Sequence, residues 1–255
     1  MKLRRRTEFH QIVVQDRGGV RSLSFGDVVQ STMQIDSPSQ GGLEYVDFFH
    51  MPMILRDRIR RVLFIGLGAG SGPAQFLEDY PDLAIDVVEI DREIVRLASE
   101  MFAFEKSSRC HIHVGDGLVF LQQVSRRWDL IIIDAYMIEK GDLVVPRELT
   151  TEAFFDLCRS RLSSAGVLVF NSAAAADAPL TREVREALSF IFPSILGFEA
   201  MTSDNAVLLA SPVSLERRST RLAQKARERL SSGAIVRREL LRRCRQIHRG
   251  LSAGT

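Results

Sequence analysis

The chain has 255 residues, 45% hydrophobic and 26% charged, the proportions of a globular protein rather than a disordered or low-complexity one. A membrane span takes about 20 mostly apolar residues in a row, and the longest apolar runs here, such as 130–133 and 166–170, are only strand-sized. The net charge of +2 conceals an asymmetry: residues 211–255 carry 12 Arg or Lys against 3 Glu, while residues 1–210 carry 22 basic against 29 acidic groups.

The opening MKLRRRTEFHQIVVQDRGG is basic but lacks an apolar run of signal-peptide length, so a cytoplasmic location is expected. Residues 11–15, 20–25 and 28–35 alternate and turn like a small antiparallel meander, with turns at Arg17-Gly18-Gly19 and Gly26-Asp27. A loop with Pro38, Gly41 and Gly42 follows. Residues 43–55 are apolar at helical spacing apart from Pro52, which predicts a helix leading into the main domain with its tip over a pocket.

From Arg61 onward strands alternate with helices, the pattern of a parallel sheet covered on both faces. Strands are predicted at 62–65, 85–90, 112–114, 130–134 and 167–171. Helices are predicted through Leu77, at 94–101, at 118–124, from Thr150 or Thr151 as N-cap through Leu162, and at 181–192. Two further strands are expected at 195–201 and 206–210. The tail, 215–251, has Leu and Ile at helical spacing among many Arg.

The chemistry concentrates at the ends of the predicted strands. Phe64-Ile65-Gly66-Leu67-Gly68-Ala69-Gly70-Ser71-Gly72 follows the first strand and opens a helix. Glycines at that place permit positive φ and close approach of backbone to a ligand, and a helix N-terminus offers unpaired N–H groups. The second strand ends in Val88-Glu89-Ile90-Asp91, with Glu89 23 residues after Gly66, where an acid accepts from both hydroxyls of a ribose. Gly115-Asp116-Gly117 follows the third strand, in register for an adenine amino group; the competing reading of Asp116 is a helix cap. Ligands of open parallel sheets sit at the carboxyl ends of strands, where all three marks fall. A second dinucleotide fingerprint is absent, so the spacing favours an S-adenosylmethionine type of ligand over NAD.

Arg61-Val62-Leu63-Phe64-Ile65-Gly66-Leu67-Gly68, Val88-Glu89-Ile90-Asp91, Val114-Gly115-Asp116-Gly117, Trp128-Asp129-Leu130-Ile131-Ile132-Ile133-Asp134 and residues 146–155 together resemble the spermidine synthase family of polyamine aminopropyltransferases. Leu23-Ser24-Phe25, Val29-Gln30-Ser31 and Glu44-Tyr45 are similar to that family's small β-domain and the loop after it, so the resemblance covers about residues 20–210. It implies aminopropyl transfer from decarboxylated S-adenosylmethionine to an amine in polyamine biosynthesis. It further implies that Gln30 contacts the nucleoside, Glu89 holds the ribose, Asp116 holds the adenine, and Asp134 orients or deprotonates the amine. The glycine turn (Gly66, Gly68, Gly70) and Gly117 complete the expected nucleoside site, with Tyr45 and Tyr136 on the substrate side.

The chain also departs from the family. The glycine turn there usually carries an acid where this chain has Ala69, and the fourth-strand motif usually continues to a second acid where this chain has Met137. Tyr136, Glu139 and Asp142 are the nearby polar side chains available as substitutes. Methyl transfer from S-adenosylmethionine and a non-catalytic nucleoside-binding role therefore stay open beside aminopropyl transfer.

The remaining candidates have bland readings. His111 and His113 share a strand face, yet no further ligand stands at metal spacing. Cys110, Cys158 and Cys244 form no Cys-x-x-Cys pair and read as reduced thiols. The basic tail holds no stacking aromatic, so it reads as a helix docking on an acidic partner surface, such as another subunit, rather than on nucleic acid or membrane. The expected architecture is α/β: a β-domain with connecting helix over 1–55, a Rossmann-like domain of the S-adenosylmethionine-dependent methyltransferase type over 56–212, and a basic helical tail over 213–255. The expected partners are a small-molecule amine and a second copy of the chain as a homodimer, with no metal.

Overall fold

The structure, a computed structural model, describes residues 1–37, 42–105, 107–139 and 142–252, apart from the side chains of Asp142 and Arg249. The expected loop positions Pro38 and Gly41 lie outside the described residues. The chain opens with β1 (Lys2–Arg6), β2 (Gln11–Arg17), β3 (Val20–Phe25) and β4 (Val28–Gln34), an antiparallel sheet in the order β1-β2-β3-β4. β1 was not anticipated: its sequence, KLRRR, lacks apolar alternation, and it survives as a charged edge strand paired on one side only, to β2.

The expected helix over 43–55 is two short helices, α1 (Val46–Phe49) and α2 (Met51–Leu55), which meet at His50. Pro52 sits in the first turn of α2, where its missing N–H costs nothing. Then come β5 (Arg61–Ile65), α3 (Ser71–Asp79), β6 (Ala84–Glu89), α4 (Arg92–Met101), β7 (Cys110–Val114), α5 (Gly117–Gln123) and β8 (Trp128–Ile133). An unanticipated hairpin of β9 (Met137–Glu139) and β10 (Asp142–Val144) precedes α6 (Glu152–Arg161), β11 (Leu162–Asn171), α7 (Pro179–Ile191), β12 (Ser194–Glu199) and β13 (Ala206–Ser211). Thr151 is the N-cap of α6, accepting from the Phe154 N–H. The tail forms α8 (Ser219–Ser231) and α9 (Leu240–Arg243).

The main sheet has seven strands in the order β12-β13-β11-β8-β5-β6-β7, parallel from β11 to β7, with β13 antiparallel to both its neighbours. Alternation along the strands builds two apolar layers. Val62, Phe64, Leu130 and Ile132 face α1, α3 and α4, while Leu63, Ile65, Ile131 and Ile133 face α5, α6 and α7. Each fully buried aliphatic side chain contributes about 1.5–3 kcal/mol, so the central strands are the stable part on which the loops are carried. No helix among the described residues is long and apolar enough to cross a membrane.

The basic tail meets an acidic surface on the body of its own chain. Arg229 pairs with Asp57, Arg237 with Asp79, and Arg243 with Glu44 and Asp47. Leu222, Ala226, Ile235, Leu240 and Cys244 are buried and join the first apolar layer. The expected docking on an acidic surface is met at Asp57, Asp79, Glu44 and Asp47 of the same chain, with the buried apolar residues of the tail sharing one face.

Candidate active site

Backbone bonds tie the strand ends together before any side chain acts. Gly66 N–H donates to Val88 O (2.8 Å), Gly115 N–H to Glu89 O (2.9 Å) and Asp134 N–H to Ile65 O (2.9 Å). The ends of β7, β6, β5 and β8 therefore line up in sheet order, carrying Asp116, Glu89, the glycine turn and Asp134. Three strand intervals span ~14 Å, the length of an adenosine with a short chain beyond its 5′ carbon. Over these ends lies a cavity of about 320 Å³, roofed by the N-terminal sheet and α1.

Gln30, Tyr45, Gly66, Gly68, Glu89, Asp116, Gly117, Asp134 and Tyr136 all line this cavity. Gly70 does not: it takes a left-handed φ of +83° ahead of α3, and a Cβ there would lie 2.8 Å from the Phe104 ring. Its role is to let α3 start close against Phe104. Ala69, at the family's usual acidic position, is buried and likewise outside the lining, with its N–H 3.4 Å from Ser31 Oγ.

Glu89 is 6% exposed. Its Oε2 accepts from Leu67 N–H and its Oε1 from Asp91 N–H, both at 2.9 Å. Burial pushes this carboxyl up, and the two N–H groups oppose that rise. Each oxygen keeps a lone pair for a ligand hydroxyl. Asp116 caps α5 by accepting from Val119 N–H at 2.9 Å, and it also lines the cavity.

Asp134 lies at the centre. Burial pushes its carboxyl up to about 6, against the hydrogen bonding of Asn171, Tyr136 and Tyr45, which favours the ionised form. Asn171 Nδ2 donates to Asp134 Oδ1 at 3.0 Å. The amide cannot turn over, because its Oδ1 accepts from Asn205 Nδ2 (3.0 Å) and Ala173 N–H (3.3 Å). Both tyrosine hydroxyls are held far above their usual range by burial first and by the Asp134 charge second.

Four groups of the site were not anticipated. Asn171 ends β11, so the rule that located Glu89 and Asp134 at strand ends extends to it. Asp91 accepts from Thr7 Oγ1 (2.5 Å) and lies 3.0 Å from His10 Nδ1. His10 Nε2 lies 3.2 Å from the Tyr136 carbonyl, and its ring stacks on Phe25 with centroids 3.9 Å apart. These contacts fasten the N-terminal sheet to the strand ends. Glu148, exposed in a short 3₁₀ turn after β10, places a further carboxylate in the lining. Of the substitutes for the missing acids, Tyr136 lines the cavity and Glu139 is exposed outside it; the Asp142 side chain lies outside the described residues.

Among the described residues, the cavity lining holds Glu89, Asp116, Asp134 and Glu148 and no Lys or Arg, a balance that favours a cationic guest. Among the described residues, no three His, Cys, Asp or Glu side chains converge as metal ligands.

Residues 45–201 match the spermine/spermidine synthase domain family. A polyamine aminopropyltransferase of Vibrio vulnificus is 32% identical over 173 residues, which is 64% of this chain and 56% of that protein. One of Neisseria meningitidis is 27% identical over 228 residues, 88% of this chain and 84% of that protein. The match thus spans little more than half of the first relative and most of the second. A probable spermidine synthase of Corynebacterium glutamicum superposes with a TM-score of 0.75 at 19% identity, covering 88% of this chain and 86% of that one, and shares its fold. With the matched segment running from Tyr45 through every strand end that lines the cavity, the chain belongs to the spermine/spermidine synthase domain family.

Proposed function

We propose that the protein is an aminopropyltransferase of polyamine biosynthesis, moving the aminopropyl group of decarboxylated S-adenosylmethionine to a small amine. The observation that carries this reading is the charge of the cavity: its described lining residues include the carboxylates Glu89, Asp116, Asp134 and Glu148 and no Lys or Arg. Decarboxylated S-adenosylmethionine and a protonated amine are both cations, whereas the intact methionine tail brings a carboxylate that meets no Lys or Arg among the described lining residues. The polyamine aminopropyltransferases among the relatives support the same reaction.

In this reading Glu89 accepts from the ribose hydroxyls, Asp116 from the adenine amino group, and Gln30 with the turn at Gly66 and Gly68 closes around the nucleoside. Gly117 lets the start of α5 approach. Asp134 accepts the proton that the attacking nitrogen must shed, with Tyr45 and Tyr136 orienting its carboxylate. The nitrogen lone pair then forms a C–N bond to the methylene beside the sulfonium. The C–S bond breaks with its electron pair passing to sulfur, and methylthioadenosine leaves. A carboxyl near 6 is ionised at neutral pH and still basic enough to take part. A homodimer, checked by sedimentation, and a cytoplasmic location belong to the same proposal.

Ala69 and Met137, where the family usually has acids, keep methyl transfer as the rival. Calorimetric titration with the two sulfonium compounds separates the readings. Tighter binding of the decarboxylated form is expected. Tighter binding of intact S-adenosylmethionine overturns the proposal in favour of methyl transfer, and binding of neither overturns it in favour of a non-catalytic protein.

A further inference from the structure

Glu44 is buried and stands outside the cavity lining, yet its carboxylate is the most heavily bonded acid next to the site. Oε2 accepts from Met201 N–H (2.9 Å), Thr202 N–H (2.8 Å) and Thr202 Oγ1 (2.7 Å). Oε1 accepts from Arg243 Nη1 (2.5 Å) and Gln246 Nε2 (2.7 Å). Three separate parts of the chain converge on it: the segment entering α1, the turn between β12 and β13, and the tail after α8.

Two of those parts lead towards Asp134. The residue after Glu44 is Tyr45, which lines the cavity with Asp134 and donates its hydroxyl to Gln30 O (3.4 Å). The turn that Glu44 grips is closed by Asn205, whose N–H donates to Ser203 O (2.8 Å) and whose carbonyl accepts from Ala200 N–H (2.9 Å). Asn205 in turn fixes the Asn171 amide, and Asn171 donates to Asp134. The groups that favour the ionised form of Asp134 are Asn171, Tyr136 and Tyr45, none of them a charged side chain, and Asn171 is tied through Asn205 to the turn that Glu44 grips.

We propose that Glu44 is a positioning residue for Asp134: with the tail residues Arg243 and Gln246 closing its other side, it fixes the turn that seats Asn205, so that the Asn205–Asn171 pair keeps the Asp134 carboxylate aimed. This rests on the reading of Asp134 as the proton acceptor. It also gives the basic tail a task at the active site, because the tail supplies two of the five bonds that immobilise Glu44.

The test compares Glu44→Gln, Glu44→Ala and Asn205→Ala with the wild type. The measurements are kcat and KM against pH, methylthioadenosine affinity by calorimetry, and titration of the Asp134 carboxyl carbon by ¹³C NMR. Loosening Asn171 removes a hydrogen bond that favours the ionised form, so the acid limb of kcat moves above about 6. The expected order is Glu44→Ala beyond Glu44→Gln, since glutamine keeps an acceptor for the turn. A kcat loss of roughly tenfold or more is expected, with nucleoside affinity unchanged. Should Glu44→Ala not fold, Asn205→Ala cuts the same chain of contacts from the other end. A kcat loss with the acid limb unmoved in the folded variants overturns the proposal and leaves Glu44 as an anchor of the fold. If the wild type releases no methylthioadenosine, the aminopropyl reading fails by itself. The carboxyl titration still decides on Glu44: a midpoint raised in the variants supports the coupling, and an unmoved one overturns it.

Discussion

Gly66 and Asp134 share a space that admits no side chain: a Cβ on Gly66 would lie 2.1 Å from the Asp134 carbonyl oxygen and 2.7 Å from its carbonyl carbon. The glycine turn and the central acid are thus in backbone contact, with Gly66 at a φ of +100°. Gly66→Ala must push β8's end away or strain a positive φ, so a loss of about 2–4 kcal/mol is expected. Nucleoside affinity should fall with it. Thermal unfolding and calorimetry check both, and an unshifted midpoint would show that the turn has slack.

Asp134→Asn is expected to lower turnover by about 10²–10⁴ while stabilising the protein. The folded state holds the proton on this carboxyl up to about 6, above its ordinary value of 3.8. The group therefore binds protons more tightly folded than unfolded, and stability is lost as pH rises from 3.8 through about 6. Asparagine removes that cost and should raise stability by about 1–3 kcal/mol at pH 8 and by nothing at pH 3. Urea unfolding at the two pH values reads the difference.

Glu89→Gln should weaken methylthioadenosine binding by roughly 10–100-fold, the value of about 1.5–3 kcal/mol for bonds to a charged group. The glutamine amide would point a donor at either Leu67 N–H or Asp91 N–H, both of which now donate to Glu89. Equal affinity in wild type and variant would remove Glu89 from the nucleoside site.

The tail should behave as part of the body. Arg237→Ala leaves the Asp79 carboxylate, which burial pushes up and Arg237 pulls down, beside buried His50 without its arginine. A loss of about 1–3 kcal/mol at neutral pH is expected, shrinking in acid as Asp79 protonates. Arg245 is exposed, and Arg245→Ala should change stability by less than about 0.5 kcal/mol. Equal effects of the two substitutions would mean that the tail is not seated on this surface.

What was legible in the sequence was what local pattern encodes. Strands such as 62–65 and 130–134 announce themselves by unbroken apolar runs, and a parallel sheet then dictates that Glu89, Asp116 and Asp134 meet at one edge. Contacts between distant segments were not legible. His10 meets Asp91 81 positions away, and Glu44 meets Arg243 199 positions away, and no local pattern around His10 or Arg243 announces either pairing. β1 was hidden because an arginine-rich edge strand has no alternation to betray it. The tail's apolar spacing was visible, but the identity of its partner surface depended on where Asp57, Asp79 and Glu44 emerge from the folded body.

The measurement that bears most directly on the reaction is product analysis by mass spectrometry after incubation with decarboxylated S-adenosylmethionine and a panel of amines, wild type beside Asp134→Asn. Methylthioadenosine together with an aminopropylated amine from the wild type, and neither from the variant, is the expected result. S-Adenosylhomocysteine formed from intact S-adenosylmethionine, with no methylthioadenosine from any amine, would contradict aminopropyl transfer.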